Sequence, residues 1–324
     1  MDLSRRQFLG TTAAVAALAA PAVAAGTASR LPTRPFGKTG LEVPILGFGS
    51  GSRFLMYADE DNALAALTRA LDLGITYIDT AHAYGDGKSE ERIGKLMPDR
   101  RKDVILATKL PGRKADEAKR QIELSLRRLK TDHLDVLHIH ALAGPDDLAR
   151  IEAPDGVLKV LYAAREQKVA RAVGITCHAD PAALKTALER HDFDCTQMAL
   201  NAAAARMADA PGGMRATPMA RGGFEEVALP VAVRKGMGVI AMKVFGQEQL
   251  VGFAPIEGLL SYALSLPVSL TSLGMPKAEQ IERNAELARN FKPMSAADRK
   301  RLTDSIAAER KVSMAEYFRC HADA

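Results

Sequence analysis

The chain has 324 residues, of which 47% are hydrophobic, and this is enough apolar material for one large or two ordinary domains. The net charge of +5 comes from Lys and Arg residues mixed among Asp and Glu, without the basic stripe and interleaved aromatic residues that indicate nucleic-acid binding. Cys177, Cys195 and Cys320 are an odd number of cysteines in a long chain, which argues against a disulfide scaffold.

The first 25 residues have the pattern of an export signal. Residues 4–9 read SRRQFL, a twin-arginine signature, and the apolar run at 13–20 precedes small residues at 22–24 that are typical of a cleavage site. The run is too short for a stable membrane anchor, which needs about 20 apolar residues; an uncleaved interfacial helix is the alternative. We therefore expect a signal at 1–25, export of the folded protein by the twin-arginine machinery, a periplasmic location and one mature domain at 26–324.

Strands and helices are predicted to alternate after the signal. Residues 36–40 are typical of a turn and predict an N-terminal hairpin. Continuous apolar stretches then suit strands that are buried on both faces of a parallel sheet. The eight strand candidates are VPILGFG (43–49), ITYIDT (75–80), VILATK (104–109), LDVLHIH (134–140), ARAVGIT (170–176), CTQMAL (195–200), GVIAMKVF (238–245) and VSLTSLG (268–274).

The segments between these strands have the apolar spacing of amphipathic helices. One short helix is expected to open at Ser89, and Gly74 is placed to end the first long helix. The stretch at 201–221 is expected to form a long loop beside a binding site. The other predicted helices are 61–73, 115–129, 155–167, 181–190, 277–289 and a C-terminal one at 295–310.

Repeats of one strand and one helix predict an α/β fold. Eight such units predict a closed (β/α)8 TIM barrel with an N-terminal β-hairpin and an extra C-terminal helix. An open, doubly wound sheet is the alternative, but no GxGxxG sequence opens a helix. Gly47, Gly49 and Gly51 are instead expected to allow a close approach of the backbone beside a site.

Four polar side chains fall at or just after the ends of three consecutive strands. Asp79 ends one strand, Tyr84 lies in the glycine-rich loop after it, and Lys109 and His140 end the next two. Strand ends of a (β/α)8 barrel meet at its active-site face. A cation about 4 Å from a phenolate contributes on the order of 4 kcal/mol at an effective dielectric near 20, so Lys109 would activate Tyr84, and Asp79 would hold Lys109 charged. The set predicts a phenol that protonates the alkoxide formed when hydride attacks a carbonyl.

At these residues the sequence resembles the aldo/keto reductase superfamily, from about residue 34 to residue 290. The motifs are DTAHAYGDGKSEERIG (79–94), ATK (107–109), LDVLHIH (134–140), AVGIT (172–176), TQMALN (196–201) and PKAEQIERN (276–284). The resemblance implies a barrel that binds NADP(H) across its strand ends. It assigns Tyr84 as the general acid, Lys109 and Asp79 as the groups that tune it, and His140 as the group that orients the substrate. His138 is the rival to His140, two residues back on the same strand face.

The resemblance also assigns residues that bind the nicotinamide. Thr176 ends the fifth strand where the family usually has a Ser-Asn pair, and Gln197 matches the glutamine that binds the amide. Met242 takes the place of an aromatic residue that stacks on the ring, with Lys243 beside it. A methionine can pack on a ring but presents no stacking face.

The adenosine end of the cofactor is assigned to the region around the eighth strand. Gly274 ends this strand, Lys277 and Asn284 match phosphate and adenine contacts, and Gln280 stands at the usual arginine position. Arg283 is expected on another face of the helix. The resemblance therefore implies NADP(H) with a weaker preference than usual over NAD(H), which is the alternative cofactor.

The function predicted in this way is NADP(H)-dependent reduction of an aldehyde or ketone, so the expected partner is a small-molecule carbonyl substrate. The alternative is a nicotinamide-nucleotide-binding sensor or partner protein on the same barrel with little turnover. Cys177-His178 and Cys320 lack the further ligands that zinc or an iron–sulfur cluster needs, so no metal site is predicted.

Overall fold

The protein is a closed barrel of eight parallel strands. The structure, a computed structural model, describes residues 30–204, 206–210, 213–217, 223–246 and 248–306. A hairpin of β1 (Thr33–Pro35) and β2 (Glu42–Pro44) precedes the barrel, and a second hairpin, β9 (Arg206–Ala210) and β10 (Gly213–Thr217), is inserted in it. The barrel strands, in order, are β3 (Leu46–Gly49), β4 (Tyr77–Asp79), β5 (Ile105–Leu110), β6 (Leu134–Ile139), β7 (Ala170–Cys177), β8 (Cys195–Ala199), β11 (Gly238–Met242) and β12 (Leu270–Gly274).

Helices surround the barrel and bury their apolar faces against the strands. Side-chain caps fix where three of them begin: Asp59 accepts from the backbone of Asn62, Asp180 from Ala182 and Ala183, and Ser295 from Asp298. The helices are α1 (Ser52–Leu55), α2 (Glu60–Asp72), α3 (Lys88–Gly94), α4 (Met97–Arg100), α5 (Ala115–Leu129), α6 (Pro145–Glu152), α7 (Leu158–Glu166), α8 (Pro181–Arg190), α9 (Phe224–Val227), α10 (Leu229–Arg234), α11 (Ile256–Leu264), α12 (Ala278–Arg289) and α13 (Ala296–Ser305).

The N-terminal hairpin packs into a small apolar cluster inside the barrel. Phe36 lies in the turn that connects β1 and β2 and is fully buried. Its ring centroid lies 6.0 Å from that of Tyr77 on β4. Gly37 has φ +57, and a Cβ there would come within 2.2 Å of the Gly238 backbone nitrogen, so only glycine fits this approach. The hairpin therefore closes the end of the barrel at which the strands begin and leaves the opposite end for a site.

The closed barrel confirms the predicted fold class and rules out the open sheet. All eight predicted strands form, and α5 and α8 have the predicted bounds. The segment 43–49 forms two strands rather than one, because β2 pairs with β1 while β3 pairs with β4 and β12. The helix predicted at 155–167 is shorter and begins at Leu158.

The prediction of a plain loop at 201–221 was wrong, because β9 and β10 pair there in antiparallel register. Among the described helices, none has both the length and the apolar character needed to cross a bilayer. The signal at 1–25, Cys320 and the last residues of the C-terminal helix predicted at 295–310 lie outside the described residues, so those statements and the boundary at residue 26 stay predictions.

Candidate active site

The strand ends bring the four predicted catalytic side chains to one end of the barrel. Asp79 is the last residue of β4, Lys109 lies one residue before the end of β5, and His140 directly follows β6. Tyr84 begins a 3-10 turn, Tyr84–Gly87, that leads into α3. All four are buried or nearly so, with exposed fractions of 8% or less. The order of the strands thus assembles four groups that are up to 61 residues apart in the chain.

Lys109 is the centre of the arrangement. Its Nζ lies 2.7 Å from Asp79 Oδ1 and donates to the backbone oxygen of Thr80 at 2.8 Å and to Tyr84 Oη at 3.1 Å. The same nitrogen lies 4.7 Å from the centroid of the Tyr84 ring. Since the phenol oxygen accepts from Lys109, its own hydrogen is directed elsewhere.

Asp79 is held as an anion by its neighbours. Its second oxygen, Oδ2, accepts from Gln197 Nε2 and from Ser272 Oγ, each at 2.8 Å. Burial raises the pKa of the Asp79 carboxyl, but the Lys109 charge and the hydrogen bonds from Lys109, Gln197 and Ser272 outweigh burial, and the net pKa lies below its ordinary value. Ser272 was missed in the sequence, although it lies two residues before Gly274 and therefore on the same strand face.

The two histidines on β6 and after it have different surroundings. The His140 ring meets the Tyr84 ring edge-on, with centroids 5.6 Å apart and an angle of 76° between the planes. His138 is fully buried one layer deeper, where burial and the nearby Lys109 charge lower its pKa to about 3. His138 is thus a neutral imidazole in the barrel interior, whereas His140 lies against the phenol.

An open cleft runs from Asp79 and Tyr84 to α12. Six of the predicted cofactor residues line this cleft: Gln197, Met242, Lys243, Gly274, Gln280 and Asn284. Other lining residues come from the end of β3 through α1 and from the segment between β11 and the start of α11, among them Gly49, Gly51, Arg53, Phe245, Glu248 and Ile256. Within the described part of the chain, the side-chain oxygens Gln197 Oε1 and Gln280 Oε1 are buried and have no hydrogen-bond donor.

Thr176 and Lys277 are not among the lining residues. Thr176 Oγ1 accepts from the backbone nitrogen of Ala141 at 2.8 Å, which uses the hydroxyl to hold the chain just after His140. Lys277 occupies the N-cap position of α12. Their assignment to the cofactor stays a prediction.

The expectation that Arg283 faces elsewhere was wrong. Gln280, Arg283 and Asn284 are spaced i, i+3 and i+4, so they share one face of α12, and all three line the cleft. The Arg283 guanidinium donates to Asn284 Oδ1 at 3.3 Å. The helical spacing was present in the sequence and predicts this geometry.

The chain is similar to known reductases in sequence and fold. It is 39% identical over 153 residues to the aldo-keto reductase YhdN of Bacillus subtilis; this match covers 43% of the chain and less than half, 44%, of that relative. An aldo-keto reductase of Bacillus halodurans has the same fold, with a TM-score of 0.69 and 23% identity over 86% of this chain and 97% of the other. A Klebsiella pneumoniae aldo-keto reductase in complex with NADPH gives 0.66 and 22%, over 85% and 95%.

At these identities the two solved structures support the fold alone. The sequence itself is more specific, because the model of the aldo/keto reductase family matches residues 45–254, from the start of β3 beyond the end of β11. The matched segment contains Lys109, the Asp79, Tyr84 and His140 side chains around it, and more than half of the chain. The protein therefore belongs to the aldo/keto reductase family.

Proposed function

We propose that this protein reduces an aldehyde or ketone to an alcohol with NADP(H), and that Tyr84 is the proton donor. The observation that carries the proposal is the hydrogen bond from Lys109 Nζ to Tyr84 Oη, with Asp79 paired to the same nitrogen. A cation at the phenol oxygen stabilises the phenolate that remains after proton transfer. The phenol hydrogen, directed away from Lys109, can then reach a substrate oxygen in the cleft.

The reaction balances with one cofactor and one proton. A bound NADP(H) would supply the hydride for the carbonyl carbon and with it the two electrons of the reduction. The carbonyl π pair moves to oxygen, and Tyr84 gives that oxygen its proton. His140, packed edge-on against the Tyr84 ring, is placed to donate to the same oxygen and so to fix the pose of the carbonyl.

The cleft fits a dinucleotide at both ends. Gln197 Oε1 is a buried acceptor beside Asp79, suited to the amide N–H of a nicotinamide, and Gln280 Oε1 is a second buried acceptor beside Asn284. Met242 offers an apolar surface for a flat ring, and Lys243 and Arg283 supply positive charge along the cleft for phosphate groups. The Klebsiella neighbour, which shares this fold, is a complex with NADPH.

Tyr84→Phe tests the mechanism. We expect kcat for NADPH-dependent reduction of an aldehyde panel to fall by at least about 10²-fold, the usual contribution of a general acid. The dissociation constant for NADPH, measured from the fluorescence of the cofactor in a chain without Trp, should stay within about twofold. Tyr162→Phe, a tyrosine whose hydroxyl contacts the Asp192 backbone on the outside of the barrel, is the matched control and should keep its activity.

Two outcomes would contradict the proposal in different ways. Full activity in Tyr84→Phe removes Tyr84 from the mechanism. NADPH that binds tightly to the native protein but is never oxidised by any aldehyde or ketone supports the alternative, a protein that binds the nucleotide as a sensor or partner.

We also propose that the protein acts in the periplasm. The support is the sequence SRRQFL at residues 4–9 with the apolar run and small residues after it. Twin-arginine export carries proteins that have already folded, which suits a barrel whose site is built from residues far apart in the chain.

A further inference from the structure

The turn that carries Tyr84 has an unusual backbone. Gly85, Asp86 and Gly87 follow one another with φ values of 57°, 54° and 96°. Left-handed backbone is uncommon for a residue with a Cβ, although Asp adopts it more readily than most, so three such residues in succession make a sharply shaped turn. The position of the phenol therefore depends on what holds the turn.

Arg128, near the end of α5, holds the turn from outside the barrel. Its Nη1 donates to the backbone oxygen of His82 at 3.2 Å, and its Nη2 donates to the backbone oxygen of Asp86 at 3.0 Å. These two carbonyls lie two residues before and two residues after Tyr84. The guanidinium also packs on Gly87, where a Cβ would come within 2.0 Å of Arg128 Cζ.

Glu90 on α3 fixes the guanidinium in turn. Its Oε2 lies 3.4 Å from Arg128 Nη1, and its Oε1 accepts from Thr108 Oγ1 at 2.7 Å. Glu90 is fully buried, and burial raises the pKa of its carboxyl against the opposing effect of its hydrogen bonds from Thr108, Ser125 and Arg128. Thr108 directly precedes Lys109, so a single carboxylate connects the strand of the cation to the arginine that holds the phenol.

We propose that Arg128, held by Glu90, is a positioning residue that sets the Tyr84 hydroxyl against Lys109 Nζ. This inference rests on the proposed role of Tyr84 as proton donor. Arg128 itself lies behind the turn and is not among the residues that line the cleft. A displacement of about 1 Å at a reacting group can cost 10²-fold in rate. Loss of the Arg128 guanidinium, which donates to both carbonyls, should therefore lower kcat measurably.

Arg113 provides a matched comparison because it holds the other side of the site. Its Nη2 donates to the backbone oxygens of His140 at 2.8 Å and Ala141 at 3.2 Å, and its guanidinium pairs with Asp147 through two contacts of 2.9 and 2.8 Å. Arg128 and Arg113 thus act in the same way, since each guanidinium donates to two backbone carbonyls of a loop that carries a site residue. One bears the proposed proton donor, and the other bears the residue proposed to orient the substrate.

The test compares Arg128→Lys with Arg113→Lys in the full-length protein. A lysine keeps the charge but cannot bridge two carbonyls as the planar fork does. Arg128→Lys should lower kcat about 10- to 100-fold, leave the NADPH dissociation constant within about twofold, and move the alkaline limb of the kcat–pH profile, because Lys109 no longer stabilises the phenolate as well. Arg113→Lys should mainly raise KM for the carbonyl and leave that limb in place.

A folded Arg128→Lys protein with native kcat and a native pH profile would overturn the inference. If that variant does not fold, Glu90→Gln decides instead: it keeps the side-chain oxygen for Thr108 and weakens the hold on Arg128, so kcat should fall several-fold with the same movement of the alkaline limb, and unchanged values would overturn the inference. Tyr84→Phe separates the two proposals. An active Tyr84→Phe ends the proposed function, whereas an inactive one beside a normal Arg128→Lys ends only the role of Arg128.

Discussion

Asp79 and Lys109 place opposite charges 2.7 Å apart in the interior of the barrel, where Asp79 is 4% exposed and Lys109 is 1% exposed. Removing two charges from water costs several kcal/mol per ion, and their attraction offsets this cost only with good geometry and further hydrogen bonds. The further bonds come from Gln197, Ser272 and the Thr80 carbonyl. The fold therefore tolerates the buried pair while both charges are present, but the loss of either side chain leaves the other charge buried without a counterion.

Asp79→Asn should show this vulnerability. The variant leaves the Lys109 charge buried without its counterion, which typically costs about 3–5 kcal/mol in the free energy of unfolding at pH 7. Urea unfolding measures the loss. Asp99→Asn, at an exposed position on α4, is the control and should change stability by less than about 0.5 kcal/mol. A stable Asp79→Asn protein would show that the pair is not needed for folding.

The same pair predicts an acid dependence of stability. Because the folded-state pKa of Asp79 is below its ordinary value of about 3.9, the pair stabilises the fold above that value, and this contribution is lost as the pH falls through the lower folded-state pKa. The native protein should therefore lose more unfolding free energy between neutral pH and pH values below about 4 than Asp79→Asn does. Equal losses in the two proteins would contradict the shift.

At the scale of elements, α3 and α5 cross at a glycine. A Cβ on Gly94, at the end of α3, would come within 1.9 Å of the backbone oxygen of Arg128 and 2.9 Å of its carbonyl carbon. Backbone atoms cannot yield as a flexible side chain does. The two helices that hold the turn of Tyr84 and its arginine therefore approach as closely as glycine alone permits.

Gly94→Ala should push these helices apart. We expect a loss of about 1–3 kcal/mol in the free energy of unfolding from overpacking, together with a lower kcat because Arg128 moves with α5. Gly258→Ala is the matched control on α11, where a Cβ would meet Leu302 at an ordinary 3.6 Å. Since alanine is the better helix former, this control should gain about 0.5–1 kcal/mol. Equal effects of the two substitutions would show that the crossing has room to spare.

Strands and helices with strong periodic patterns were predictable, whereas their tertiary contacts were not. The continuous apolar strands gave the barrel order, and the strand ends gave the positions of Asp79, Lys109 and His140. Arg128 was unremarkable in the sequence because its role depends on two backbone carbonyls of a turn, 46 and 42 residues earlier in the chain. The hairpin of β9 and β10 was missed because the segment has few β-branched or aromatic residues, although Pro211-Gly212-Gly213 in its middle is a turn signal.

At the scale of the whole molecule, the two ends of the barrel differ. The hairpin around Phe36 closes one end, the cleft opens at the other, and the charged layer around Lys109 lies between them. The site depends on the register of all the strands that contribute to it. Such a cleft exists only once the barrel has folded and closed, so a cofactor could bind only to the folded protein. The twin-arginine route exports proteins in this folded state.

The proposed export can be tested with a double substitution in the signal. Arg5→Lys with Arg6→Lys should leave the protein in the cytoplasm of a bacterium that has the twin-arginine system, since the route requires the arginine pair. Cell fractionation with immunodetection measures the distribution. Arg30→Lys, a nearby arginine outside the motif, is the control and should be exported normally. Periplasmic recovery of the double variant would exclude this route.

The three contacts of Lys109 have one further consequence. A primary ammonium has three N–H bonds and no acceptor, and here two of them donate to the Thr80 carbonyl and to Tyr84, while Asp79 pairs with the same nitrogen as its counterion. A buried lysine beside a carbonyl pocket could in other proteins condense with the substrate to a Schiff base, but that requires a free lone pair on nitrogen. In this barrel the three contacts hold the Lys109 nitrogen toward Asp79, Thr80 and Tyr84, so a carbonyl compound in the cleft would meet the Tyr84 hydroxyl and His140 rather than the amine.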